Sequence, residues 1–318
     1  MIAEGLIRLF RPLFARGTRV ISSRRHVGGV ETAKSNGNGA SIPGPDPALL
    51  LSAVREDVRQ TLRSAWVEPA LEAAAEFPAF FMSAWSAIRP NVGRTFLTLA
   101  RGLRAEAVDA VRAAGDVPDL RKRLERELSE TELKRAEEAA RAAHLVSAKS
   151  QIVVHALYRA VRGDRISGTG GEEPPIRRGV PDWQAWMADQ PMPDGALATL
   201  DEIERSLGVL SAPAALRLLG SRPAGLSSVW NELRRITRMQ VWNAGTVKLR
   251  RAVLAGIAAL PHPIELQWTA LKARGFNEDD RLELMNRLTE YDHEMSIHTL
   301  VAAFVWSGFG APEVGTES

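Results

Sequence analysis

Two stretches decide the fold: Pro78–Arg89, PAFFMSAWSAIR, and Pro223–Arg234, PAGLSSVWNELR. At a constant offset of 145 residues, Pro78, Ala79, Ser83, Trp85 and Arg89 recur as Pro223, Ala224, Ser228, Trp230 and Arg234, without a gap. In each copy a proline sits where a first helical turn accepts a missing N–H. A Trp follows two turns later on the apolar face, where its large surface predicts a core anchor.

The correspondence extends in both directions. Glu56-Asp57-Val58 matches Asp201-Glu202-Ile203, Leu62 matches Leu207, and Leu71 matches Leu216. Further on, Ser129-x-x-Glu132 and Asn277-x-x-Asp280 have capping-box spacing and each opens a long helix, running to about Gly163 and Gly308. No alternating run of β-branched residues suggests a sheet, and no run of eighteen apolar residues suggests a spanning helix. The expected fold is all-α: a pseudo-twofold pair of helical repeats of about 120 residues, each of five or six helices, with a pocket between them. Two copies are too few for an open solenoid.

The organisation follows from composition. Residues 1–45 read as a basic tail and a flexible linker, 46–163 as repeat 1, 164–190 as an inter-repeat linker rich in Gly and Pro, 191–310 as repeat 2, and 311–318 as a C-terminal tail. The first 30 residues hold six Arg against Glu4, which accounts for the pI of about 9.5 and leaves the remainder slightly acidic. A nucleic-acid footprint on the folded body is therefore not expected, because phosphate binding needs clustered cations on one face. Ile2, Leu6, Leu9, Phe10 and Leu13 share a helical face beside Arg8 and Arg11, so weak membrane-surface contact through residues 1–30 is one reading; a frayed extension is the other. The absence of Cys excludes thiol chemistry and fits a reducing cytoplasm.

The chemistry-bearing residues are few. His293 and His298 are five apart, about 140° around a helix, so they do not make a zinc pair; Glu294 and His298 do share a face and are expected as a surface pair. Neither a metal nor a cofactor is expected. His155 lies within the apolar run Ile152–Leu157 and needs a buried hydrogen-bond partner, or acts as a base. Glu68, Glu72 and Glu76 are spaced as a helix row, expected to be solvated. Trp66 faces Ser211 in the second copy and is available to line an asymmetric pocket.

Val54–Leu62, Trp66-Val67, Phe77-Pro78 and Trp85–Arg89 resemble the group I 2-haloacid dehalogenases, as do Leu207-Gly208-Val209, Pro213, Arg217, Pro223, Leu226 and Trp230. The resemblance spans about residues 46–310 and implies an all-α pseudodimer whose inter-repeat pocket binds a short 2-haloacid of either hand. In that family an Asp-activated water attacks the substrate carbon and displaces halide. By motif, the substrate-binding positions fall on Trp66, Pro69, Lys149, Ala214 and Ala215, and a pocket Thr becomes His155. The family's Ser-Asp pair falls on Ala214-Ala215, and no acid occurs between Ser211 and Leu219. A methyl group cannot take a proton from water.

Three readings follow. The first is a divergent hydrolase with His155 or Glu68 as the base, acting on a small carboxylic acid. The second is a binding or scaffold protein for such an acid or an apolar small molecule. The third is a membrane-surface protein. A second copy of the chain is a further candidate partner.

Overall fold

The computed structural model describes residues 47–173, 176, 178–187 and 192–310; the Arg-rich tail and the C-terminal tail lie outside them. Among the described residues six α-helices precede residue 164: α1 (Pro47–Leu62), α2 (Pro69–Ala75), α3 (Pro78–Ile88), α4 (Arg94–Ala113), α5 (Leu120–Leu124) and α6 (Glu130–Arg162). Six follow it: α7 (Asp194–Leu207), α8 (Ala214–Arg217), α9 (Pro223–Ile236), α10 (Gln240–Ile257), α11 (Trp268–Ala273) and α12 (Glu278–Gly308). The described residues form no sheet; the only β pairing among them is an isolated bridge between Ile166 and Ile264. The fold is all-α.

Local sequence accounts for the helix ends. Pro69, Pro78 and Pro223 open α2, α3 and α9, where the missing N–H costs nothing. Both expected capping boxes form, Ser129 with Glu132 and Asn277 with Asp280. Gly163 ends α6 with φ of 83°, a left-handed stop that glycine adopts at little cost.

The longest helices, α6 and α12, pack antiparallel and form the centre, with α4 and α10 flanking them. Phe80, Phe96 and Phe304 are fully buried around this core. Each such side chain contributes roughly 2–3 kcal/mol by leaving water. Close approach matters on α10, where a Cβ at Gly245 would stand 3.0 Å from that of Ala110 on α4. The outer helices repeat one device. Trp85 Nε1 donates to Asp57 Oδ2 at 2.8 Å and Trp230 Nε1 to Glu202 Oε1 at 3.1 Å, and each carboxylate also pairs with an Arg, Arg89 or Arg234.

The short helices position the site. α2 packs on α12, and α8 packs on both α6 and α12. The linker supplies a 3-10 turn, Asp182–Met187, that lies on α6.

Candidate functional site

Leaving α1, the chain turns at Arg63, whose φ of 57° makes it the one non-glycine residue in the left-handed region among those described. Ser64 then closes a tight turn, its Oγ accepting from Trp66 N at 3.2 Å and donating to Trp66 O at 2.6 Å. Ala65 N donates to Gln184 Oε1 of the linker turn at 3.1 Å. The indole of Trp66 donates to Glu68 Oε1 at 2.9 Å. Glu68 precedes α2 in extended backbone but does not cap it; its carboxylate instead faces Arg217 of α8, with Oε2 3.3 Å from Nη2. Glu68 is almost fully buried, at 2% side-chain exposure, and Arg217 keeps 16%. Lys149 is buried on α6 and donates to Leu62 O at 3.2 Å, satisfying a carbonyl at the C-terminal end of α1 where a cation is favoured.

The turn leaving α7 has the same outline. Gly208 takes the left-handed position with φ of 66°, 145 residues after Arg63. Ala212 N donates to Glu204 Oε1 at 2.9 Å, and Leu210 N donates to Glu294 Oε1 of α12. The carbonyl of Ser211 lies 3.0 Å from His298 Nε2. A carbonyl only accepts, so His298 carries its proton on Nε2 and presents a lone pair at Nδ1. That Nδ1 is buried without a hydrogen-bond partner, as are Glu294 Oε2 and Ser211 Oγ.

The electrostatics disfavour charge on Glu294 and His298 at neutral pH. Burial pushes the Glu294 carboxyl up to about 8, against the lowering effect of the Leu210 and Ser211 N–H groups. Burial and the nearby Arg217 charge push His298 down to about 3. A neutral acid and a neutral imidazole thus stand with Glu294 Oε2 4.0 Å from His298 Nε2.

His155 belongs to a different cluster. Its Nδ1 is hydrogen-bonded to Asp292 Oδ1, both side chains are 2% exposed, and Arg250 reaches Asp292 Oδ2 through Nη2 at 2.9 Å. This is the buried partner that the apolar run around His155 calls for. Glu68 and His155, the two candidate bases, thus sit in separate networks. The structure brings Trp66 and Glu68 together, with Pro69 directly after them as the first residue of α2. Ala214 and Ala215 are buried on α8, one turn before Arg217.

Two expectations need correction. Glu294 and His298 are not a surface pair, because both are 2% exposed. From Tyr291 onward α12 is buried almost all round, and the run Met295–Trp306, nearly without charge, is the signal that would have revealed it. The Glu row is not solvated throughout either. Glu76 is exposed and Glu72 pairs with Arg55, but Glu68 lies before the helix and is buried. Sequence reasoning passed over Arg217, Asp292 and Ser211 as site residues.

Among the described residues no group of three or more His, Asp or Glu is placed to hold a metal ion, and no helix is long and apolar enough to cross a membrane. No family model and no curated protein sequence matches the chain. Solved structures do. A D-2-haloacid dehalogenase mutant in complex with D-2-CPA superposes with a TM-score of 0.73 at 19% identity, covering 82% of this chain and 92% of its own. A D-2-haloacid dehalogenase with L-LA gives 0.72 at 18% identity, covering 81% and 92%. A third structure, of a mutant, gives 0.72 at 19% identity. The chain has the fold of the D-2-haloacid dehalogenases.

Proposed function

We propose that the protein binds a short carboxylic acid, of the 2-haloacid type, at Arg217, in the corner where Trp66 and Glu68 of the first half meet α8 of the second. The observation that carries this reading is the Arg217–Glu68 pair. A guanidinium that remains 16% exposed beside an indole is suited to a small carboxylate, which it binds through a planar fork. The shared fold with D-2-haloacid dehalogenases supports the choice of ligand class.

The same corner argues against displacement of halide by the route the resemblance implies. By the resemblance, the acid that route needs falls on Ala214-Ala215, and both residues are buried. Glu68 has both oxygens engaged, Oε1 by Trp66 and Oε2 by Arg217, which leaves it poorly placed to take a proton from water. His155 is committed to Asp292. The reading is therefore binding without turnover, and hydrolysis of a small haloacid is the alternative.

The placement between the halves rests on reading them as two copies of one unit. That reading is supported by the Trp85–Asp57–Arg89 and Trp230–Glu202–Arg234 groups and by the paired left-handed turns at Arg63 and Gly208.

Isothermal titration of the full chain with both enantiomers of 2-chloropropionate, alongside a chloride-release assay, tests the proposal. Saturable binding without chloride release is expected, and a Glu68→Gln/Arg217→Gln double variant, which removes both charges together, should lose it. Absence of binding by a folded protein would sink the proposal, and catalytic chloride release would replace it with hydrolysis.

A further inference from the structure

We propose that the outward face of α10 is a docking surface for an acidic amphipathic helix of another protein. This goes beyond the carboxylate site and does not depend on it. Helix α10 has two apolar sides where a surface helix typically has one. Its inner side, with Trp242, Leu249, Val253 and Ile257, is buried in the core. On its outer side Ala244, Val247, Arg251, Leu254 and the C-cap residue Ala258 follow at alternating steps of three and four residues, the spacing by which one helix receives another. All five are exposed, Val247 at 49% and Leu254 at 42%. The fold does not require such a row. At the offset of 145 residues, α4 carries Gly102 where α10 has Val247 and Asp109 where it has Leu254, and both are exposed.

Charge identifies the occupant. The sequence of α10, QVWNAGTVKLRRAVLAGI, holds Lys248, Arg250 and Arg251 and no acid. Lys248 is paired with Glu106 of α4, and Arg250 with Asp292 of α12. Arg251, in the middle of the row, forms no ion pair among the described residues. A carboxylate set between two apolar residues of an incoming helix answers Arg251 while those residues cover Val247 and Leu254. The same charge disfavours a second copy, because a twofold pairing centred on the row sets Arg251 against Arg251. A bilayer surface calls for a broad face of large apolar side chains, and the row offers two.

The test is fluorescence anisotropy of the full chain with three labelled synthetic helices. Each presents Leu along one face at the same spacing, flanked by Glu, and they differ only at one central position of that face, which is Glu, Gln or Lys. The Glu peptide is expected to bind saturably and about tenfold more tightly than the Lys peptide, and Arg251→Glu should reverse that order. Val247→Asp and Leu254→Asp should each weaken the Glu peptide about tenfold or more, whereas Leu282→Asp, at a comparably exposed Leu of α12, should not. All four substitutions are at exposed positions, so the wild-type thermal transition should persist and show that each variant is folded. No binding of the Glu peptide, an equal loss in Leu282→Asp, or an order that Arg251→Glu leaves unchanged would overturn the proposal. A dimer in sedimentation that Val247→Asp dissociates would instead assign the row to a second copy, and binding to phosphatidylglycerol vesicles lost in the same variant would assign it to a lipid surface; either result also overturns it.

Discussion

The turn after α1 and the turn after α7 have the same backbone outline and use their polar groups in opposite ways. In the first, Ser64, the Ala65 amide, Trp66 and Glu68 are all engaged, the last with Arg217 across the halves. In the second, Ser211, Glu294 and His298 each keep an atom with no partner. At the offset of 145 residues Ser211 stands where the first turn has Trp66, a small hydroxyl in place of an indole. Two turns of one outline can thus carry one closed corner and one receptive corner.

The largest effect should come from opening the closed corner. Glu68→Ala strands Arg217 without its buried partner and is expected to cost about 3 kcal/mol in urea unfolding. Ser211→Ala, by contrast, should stay within about 0.5 kcal/mol of wild type, since its Oγ has no partner to lose. Equal losses from both would break the distinction between sealed and receptive corners.

Next in size is a pair of substitutions that tests the common outline. Trp85→Phe and Trp230→Phe each remove one N–H donor to a carboxylate and should each cost about 1–2 kcal/mol. Losses that differ by much more than about 0.5 kcal/mol, beyond the usual scatter between independent sites, would separate the two halves energetically. Smaller again is the pair of left-handed turns. Gly208→Ala meets no atom within 4 Å, so its cost of about 1 kcal/mol would be backbone strain alone. Arg63→Gly at the matching position should be neutral or slightly stabilising in thermal melts, because it relieves the same strain.

The last effect is a shape. His298, lowered from 6.5 to about 3, binds fewer protons folded than unfolded in that window, so its contribution to stability rises with pH across it. Glu294, raised from 4.5 to about 8, binds more protons folded, so its contribution falls as pH rises across that window. The two oppose each other between 4.5 and 6.5, leaving a rise below and a fall above. Unfolding midpoints measured from pH 3 to 8 should lose the upper fall in Glu294→Gln and keep the lower rise; an unchanged upper limb would mean that Glu294 ionises normally.

Much of the scaffold was legible before any coordinates. Proline at a first turn, reciprocal capping at Ser129 and Asn277, and Trp at matching positions are local signals, and local signals survive in one sequence. The site was less so, because its bonds join residues that are distant in the chain. Glu68 reaches Arg217 over 149 residues and His155 reaches Asp292 over 137, and no periodicity encodes which acid meets which base. Glu294 and His298 were misread for a different reason. Their helical spacing suggested a solvated pair, whereas the apolar character of the following turns on every face had already decided their burial.

The central seam has a consequence for how the chain reaches this state. Gln151 donates from Nε2 to Ser296 Oγ and accepts at Oε1 from Thr299 Oγ1, 145 and 148 residues along the chain, so the inner faces of α6 and α12 cannot be completed until nearly the whole chain is present. Closing so long a loop costs entropy before the seam returns any contact energy, which makes its formation a late kinetic step. During synthesis α6 would carry an apolar, partly polar face with nothing to receive it, and that interval is when the molecule is most exposed to misassembly with another copy of itself.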